Sequence, residues 1–251
     1  MGVDSGLPDF RGPEGFWRAY PPYRDLGLRF EEIADPVHFA TDPELAWGFY
    51  GHRLQLYRRT VPHDGFGVLR EWSDGLPTRV FTSNVDGQFQ RTGFAEDQVA
   101  ECHGSIHFLQ CTQDCGQPLW PADGVCVEVD RVTMRAAPPL PSCPECGALA
   151  RPNILMFGDG GWIADRSADQ VRVHDAWLRE LRSSGARLTV VELGAGTAIP
   201  TVRREAEVAS AASGALVRIN VREPDVRHGR GVGIAAPAAA ALLALDELLA
   251  S

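Results

Sequence analysis

Residues 187–200 read R-L-T-V-V-E-L-G-A-G-T-A-I-P, an apolar, partly β-branched run that enters a glycine-rich loop. Such a run bounded by glycine predicts a strand over residues 187–193. Two further runs of this kind are R-V-F-T-S at 79–83 and A-L-V-R-I-N at 215–220. Amphipathic stretches predict helices at about 43–59, 65–74, 168–183, 201–213 and 237–250. Strands that alternate with helices in this way indicate an α/β fold with a mostly parallel sheet.

Polar residues follow each of the three predicted strands, at Thr82–Asp86, Gly194–Thr197 and Asn220. In parallel sheets, ligands bind beyond the carboxyl ends of the strands. The three clusters therefore predict one shared nucleotide site. The G-A-G-T loop alone is also compatible with a plain turn, because short glycine motifs are weakly specific.

Composition narrows the class of protein. The chain has 251 residues, of which 44% are hydrophobic and 23% charged, values typical of a globular protein with one large domain or two small ones. A net charge of −9 argues against sequence-independent nucleic-acid binding. No apolar run reaches the roughly 18 residues of a membrane span, and Met1 is not followed by a basic and then apolar segment. We expect a cytoplasmic protein without nucleic-acid or membrane partners.

The cysteines form two short pairs, Cys111 with Cys115 and Cys143 with Cys146. Two such pairs separated by a few tens of residues are typical of a structural zinc site with four thiolate ligands. The segment between them is rich in proline and poor in apolar periodicity, so it needs a crosslink to fold. The alternative is two pairs of reduced or disulfide-linked cysteines. Cys102 and Cys126 receive no role.

Four stretches resemble motifs of the sirtuins, the NAD-dependent protein deacylases. Residues 5–11 (S-G-L-P-D-F-R) resemble the family's S-G-I-P-D-F-R loop, and residues 82–87 (T-S-N-V-D-G) resemble T-Q-N-I-D-G. Residues 103–105 (H-G-S) resemble the segment with the catalytic histidine, and residues 151–159 (R-P-N-I-L-M-F-G-D) resemble R-P-H-V-V-W-F-G-E. The cysteine pairs fall between the last two, in the family's order.

The resemblance implies a Rossmann-like NAD-binding domain, a small zinc-ribbon-like module and a helical insertion. We expect the NAD-binding domain at 1–102 and 150–251, with the helical insertion at 13–62, and the zinc module at 103–149. The implied activity is NAD-dependent protein-lysine deacylation, which releases nicotinamide and O-acyl-ADP-ribose. Two alternatives stay open: an NAD glycohydrolase or ADP-ribosyltransferase of the same fold, and a non-catalytic module that binds ADP-ribose.

By the resemblance, His103 is the general base, which suits an imidazole whose ordinary pKa leaves it mostly neutral at pH 7. An isolated histidine would more simply be a hydrogen-bonded structural residue. The implied partners are NAD and an acylated lysine of a protein substrate. The implied NAD-binding residues are Asp9, Phe10, Arg11, Ser83, Asn84, Asp86, Gly194, Gly196, Thr197 and Asn220. The implied substrate-binding residues are Leu155, Phe157 and Gly158, and the implied zinc ligands are Cys111, Cys115, Cys143 and Cys146.

The chain departs from the family pattern at several positions. Ser83 replaces a glutamine of the T-Q-N motif, Asp159 replaces a glutamate, and Met156 replaces an aromatic residue. Sirtuins also carry a hydrophobic strand and a G-A-G turn ahead of the S-G-I-P-D-F-R loop. Only Met1 to Asp4 precede that loop here, so we expect the reading frame to continue upstream into such a strand.

Overall fold

The computed structural model describes residues 1–9, 13–227 and 229–251. The helices are α1 (Pro13–Ala19), α2 (Pro21–Asp25), α3 (Phe30–Ile33), α4 (Val37–Thr41), α5 (Pro43–Arg59), α6 (Asp64–Gly75), α7 (Gln88–Arg91), α8 (Asp165–Ser184), α9 (Thr201–Ser213) and α10 (Ala238–Ala250). The strands are β1 (Val80–Thr82), β2 (Val99–Glu101), β3 (Gly104–Cys111), β4 (Trp120–Pro121), β5 (Val129–Asp130), β6 (Arg135–Ala136), β7 (Ala150–Ile154), β8 (Leu188–Leu193), β9 (Gly214–Ile219) and β10 (Gly231–Ile234). Two 3₁₀ helices cover Gly2–Ser5 and Glu96–Gln98.

Parallel strands form one half of the molecule. β1 pairs with β2, and β8, β9 and β10 form a three-stranded sheet in the order β10-β9-β8. Helices α6 and α10 pack on each other over Val68, Ile219 and Leu242, while α9 packs against β8 and β9. The predicted α/β class is confirmed, and the three strands and five long helices lie within a few residues of their predicted positions. Within the described ranges no ladder joins β1 to β8, so the parallel strands fall into two sheets.

The other half is a helical and antiparallel unit. β3 pairs with β4 and β7 in the order β4-β3-β7, and β5 and β6 form a hairpin. Helix α5 packs closely on that hairpin, because a Cβ on Gly48 would lie 1.9 Å from the Met134 carbonyl oxygen. The Trp47 indole donates to the Ala150 carbonyl at 2.9 Å. The helices of the predicted insertion therefore share one core with the cysteine-bearing segment, and the sheet of that unit extends past residue 149 through β7.

That shared core is mainly aromatic. Phe16, Tyr23, Phe49 and Tyr50 are almost completely buried, and their rings make stacked and edge-on contacts with one another. Large rings of this kind bury the most apolar surface per residue, which stabilises a unit built from short helices and strands.

The two halves meet at His103. β2 ends at Glu101, and after the turn at Cys102 and His103 the chain enters β3 at Gly104. Gly104 has a φ of 79°, and a Cβ there would lie 2.1 Å from the Asn153 carbonyl oxygen of β7. Only glycine fits this close approach, so the crossing from β2 to β3 is held at a fixed position against β7.

Across the described residues, no helix is both long and apolar enough to traverse a lipid bilayer.

Candidate functional site

His103 lies in the turn between the two halves. Its backbone carbonyl accepts a hydrogen bond from the Leu155 amide at 3.0 Å. Its ring is half-buried, and this burial lowers the pKa of the imidazole below its ordinary value. The ring is therefore neutral near pH 7 and can accept a proton.

Asp86 follows β1 and is buried, with 6% of its surface exposed. Burial raises the pKa of its carboxyl above the ordinary value, while the Gln88 amide donates to Oδ1 at 3.1 Å and opposes the shift. His107 and Arg53 also oppose it, through their charge. A buried carboxylate with so few partners is typical of a binding or catalytic site, since burial without a function is unfavourable.

The loop that carries Asp86 is shaped by Gly87 and His107. Gly87 has a φ of 68°, and a Cβ there would lie 2.8 Å from the His107 ring. His107 Nε2 lies 3.0 Å from the Asp86 carbonyl oxygen, within hydrogen-bond distance. Ser83 is half-buried and Asn84 is exposed in the same loop, so both side chains lie near the surface of the site.

The N-terminal segment connects this loop to the end of β9. A Cβ on Gly2 would lie 3.6 Å from Asp86 Oδ2. At the other end, Arg222 donates to the Asp9 carboxylate at 2.8 Å. Residues 1–9 therefore reach from the loop after β1 to the segment after β9. Phe10 and Arg11 lie outside the described residues.

The glycine-rich loop after β8 is fixed by Asn220. The Asn220 Nδ2 group donates to the Ala195 carbonyl at 2.9 Å, and its Oδ1 accepts from the Arg222 and Glu223 amides. The Nδ2 group thus holds the loop that contains the predicted residues Gly194 and Gly196, while Oδ1 holds the turn after β9.

Thr197, in the same loop, presents two donors to one anion. Its amide and its hydroxyl both donate to the Glu223 carboxylate, at 3.1 and 2.6 Å. These two bonds tie the glycine-rich loop to the segment that follows β9.

The predicted substrate segment adjoins His103 through Leu155. Leu155 is 38% exposed, an unusual degree for a leucine between buried residues. The Phe157 amide donates to the Ala34 carbonyl at 3.0 Å, and its ring packs edge-on against Phe30 at 6.0 Å. Gly158 is exposed, with a φ of 66°. The structure therefore places the Leu155 backbone next to His103, and Phe157 and Gly158 follow Leu155 in the same segment.

The four paired cysteines converge. Their Sγ atoms all lie within 4.8 Å of one another, with Cys111 to Cys146 and Cys115 to Cys143 each at 3.6 Å. Four thiolates at Zn–S bonds of about 2.3 Å would stand about 3.8 Å apart in a tetrahedron, so these residues fit zinc. The distances also exclude disulfides, and all six cysteines are free thiols. Cys102 stands apart, and burial raises the pKa of its thiol to about 12.

Sequence reasoning missed His107, Arg222 and Glu223. An acidic residue shortly after a strand end is a known nucleotide-site signal and could have identified Glu223. No signal identifies His107 or Arg222, because their roles depend on contacts with residues far away in the sequence.

Comparison with known proteins identifies the family. A sequence model of the Sir2 family matches residues 1–176. The chain belongs to the Sir2 family. Among its relatives are the NAD-dependent protein deacylases of Pyrococcus furiosus, 34% identical over 160 residues, and Aquifex aeolicus, 31% identical over 160 residues. Each match covers 63% of this chain but only 58% of the relative, less than two thirds of its length.

Solved Sir2 structures share the fold. A Sir2 homologue in complex with NAD superposes with a TM-score of 0.69 at 26% identity, covering 99% of this chain and 85% of that one. A Sir2 homologue in complex with ADP-ribose gives a TM-score of 0.67 at 26% identity, covering 98% and 86%. The Sir2-type fold thus extends over almost the whole chain, including the region beyond residue 176.

Proposed function

We propose that this Sir2-family protein is an NAD-dependent protein-lysine deacylase that releases nicotinamide and O-acyl-ADP-ribose. The observation that carries the proposal is the hydrogen bond from the Leu155 amide to the His103 carbonyl. It joins the backbone of His103 to the exposed Leu155, which supports an acyl-lysine site next to the proposed base. The two relatives named above are both called NAD-dependent protein deacylases, which supports the same reading.

The residues around Asp86 and Thr197 fit NAD in chemical terms. A buried carboxylate beside the exposed Asn84 offers acceptors and donors for ribose hydroxyls and an amide. The Thr197 amide and hydroxyl both donate to the Glu223 carboxylate, which supports an anion position on the glycine-rich loop. In this proposal Ser83, Asn84 and Asp86 hold the nicotinamide ribose.

The adenosine side would be bound by Gly194, Gly196, Thr197 and Asn220. Asp9 closes the site through Arg222. Phe10 and Arg11 follow Asp9 in the family motif, and we assign them to the same NAD-binding loop.

His103 supplies the base in this proposal. When bound, NAD supplies an ADP-ribosyl group and loses nicotinamide. The imidazole of His103 accepts the proton of a ribose hydroxyl, and its lowered pKa keeps it unprotonated for that step. Leu155, Phe157 and Gly158 orient the acyl-lysine, and the apolar surface of Leu155 and Phe157 excludes water from it.

Zinc takes a structural role. Four cysteine ligands leave no open coordination position, so the metal would crosslink the segment between β3 and β7. We propose Cys111, Cys115, Cys143 and Cys146 as its ligands.

We propose the cytoplasm as the location. Six free thiols, four of them clustered for a metal, support a reducing compartment.

The test follows nicotinamide release from NAD with and without an acetyl-lysine peptide. The chain contains no lysine, so every acyl-lysine in the assay comes from the peptide. We expect release that depends on the peptide and is lost in His103→Ala. Release that proceeds equally without peptide would instead identify an NAD glycohydrolase, and no release with intact NAD binding would identify a binding module.

A further inference from the structure

A buried carboxylate lies behind the open edge formed by Leu155, Phe157 and Gly158. We propose that Asp159 is a positioning residue that fixes this edge for acyl-lysine binding, acting through the backbone and through Arg151. The inference rests on the proposed function for its substrate. It concerns a residue whose side chain is completely buried in the protein.

Asp159 and Arg151 form a two-pronged ion pair. Arg151 donates from NH1 to Oδ2 at 2.7 Å and from NH2 to Oδ1 at 2.9 Å. The Asp159 side chain is 0% exposed and the Arg151 side chain is 4% exposed. A pair this buried and this well aligned resists rearrangement, because removing either partner leaves an uncompensated charge away from water.

The same carboxylate also accepts two backbone amides, one within the open edge and one beyond it. Oδ2 accepts the Met156 amide at 3.3 Å, and Oδ1 accepts the Gly161 amide at 3.2 Å. Asp159 therefore closes a loop over residues 156–161, and the ion pair to Arg151 anchors that loop to β7. We call this arrangement the Asp159 clip.

A second layer secures the far end of the loop. Gln110 Nε2 donates to the Gly161 carbonyl at 2.8 Å, and Gln110 Oε1 accepts from Asn153 at 2.9 Å and from the Ile163 amide at 3.2 Å. Gln110 and Asn153 are both buried. The loop is thus tied to β3 and to β7, the two strands that lead away from His103.

Among the described residues, two backbone hydrogen bonds join the start of this segment to other parts of the chain. The Leu155 amide donates to His103 and the Phe157 amide donates to Ala34. The intervening residues are otherwise held from inside by the Asp159 clip. Loss of the clip should let the open edge move relative to His103, and a displacement near 1 Å can weaken productive binding by about a hundredfold in the extreme.

The test measures steady-state kinetics with an acetyl-lysine peptide and NAD as varied substrates. We expect Asp159→Asn to raise the peptide KM about tenfold while kcat and the NAD KM stay within about twofold of wild type. Asp159→Glu keeps the charge and should fold even if Asp159→Asn does not. Because its carboxylate is displaced by one methylene, we expect a peptide KM about threefold above wild type.

The matched control is Glu192→Gln, which alters another buried two-pronged pair, with Arg218 at 2.7 and 2.8 Å. We expect this variant to keep the wild-type peptide KM. Amide hydrogen exchange adds a measurement that needs no turnover. We expect the Met156 and Gly161 amides to exchange faster than in wild type in both Asp159 variants, and at the wild-type rate in the control.

The outcomes separate the two claims. The inference is overturned if both Asp159 variants keep the wild-type peptide KM. It is also overturned if kcat and NAD binding fall equally, because that result is typical of a residue that only stabilises the fold. If wild type shows no peptide-dependent turnover, the proposed function fails. The hydrogen-exchange result then tests only whether Asp159 holds the loop. Faster exchange in the variants supports that role, and an unchanged exchange rate overturns it.

Discussion

Replacing Gly104 by alanine tests the geometry that places His103. The glycine sits directly after His103 with a φ of 79°, where an L side chain is strained by about 1–2 kcal/mol. The new Cβ would also lie 2.1 Å from the Asn153 carbonyl oxygen, a backbone atom that cannot turn aside. Forcing an extra methyl group into a packed site adds about 1–3 kcal/mol.

Together, the backbone strain and the steric overlap predict that Gly104→Ala lowers the free energy of unfolding by about 2–5 kcal/mol. A typical domain has a total of roughly 5–15 kcal/mol. To relieve the contact, β7 must move about 1 Å from β3, which carries Leu155 away from the His103 carbonyl. We therefore expect peptide-dependent nicotinamide release to fall by up to about a hundredfold in the folded fraction.

Urea unfolding followed by tryptophan fluorescence measures the stability change through the midpoint. The control is Gly67→Ala in α6, where a Cβ meets nothing within 4 Å. Alanine in a helix interior should stabilise this variant by about 0.5–1 kcal/mol. A Gly104→Ala protein within 0.5 kcal/mol of wild type and fully active would refute the placement of β7 against His103.

Three further changes have defined outcomes. His103→Ala should lower turnover by about 10²–10⁴-fold, with NAD affinity by calorimetry within about tenfold of wild type; the acid limb of the wild-type pH profile should lie below pH 6.5 because burial lowers the pKa of His103. Elemental analysis should find about one zinc per chain, and its removal should unfold residues 105–150, seen as loss of amide protection there; a metal-free protein with the same protection would contradict this. For Asp86→Asn, the sign follows from the raised carboxyl pKa: the folded state binds the proton more tightly, so wild type loses stability as pH rises from about 4 through the folded pKa. The variant lacks that loss, and its midpoint in urea should increasingly exceed the wild-type midpoint over this range while NAD binding weakens.

Local sequence signals were sufficient for the elements that bury an apolar face. The run before Gly194 becomes β8 at Leu188–Leu193, and the stretch 43–59 becomes α5 at Pro43–Arg59. The cysteine spacing likewise predicted a cluster that the structure brings within 4.8 Å. In each case the signal consists of short local patterns: an apolar run, an amphipathic stretch or a closely spaced pair of cysteines.

Local sequence signals could not predict the elements that depend on long-range contacts. β7 reads A-R-P-N-I and contains a proline and two polar residues, so no alternation marks it as a strand. It forms because Asn153 meets Gln110 and Arg151 meets Asp159, partners that only the folded chain brings together. The sharing of one core by the helical insertion and the antiparallel strands was missed for the same reason.

The central claim is that NAD cleavage is coupled to removal of an acyl group from lysine. The most direct measurement is the product ratio, by mass spectrometry, after incubation with NAD and an acetyl-lysine peptide. The proposal predicts nicotinamide, deacetylated peptide and O-acetyl-ADP-ribose in equal amounts. Nicotinamide formed together with free ADP-ribose and an intact peptide would contradict it.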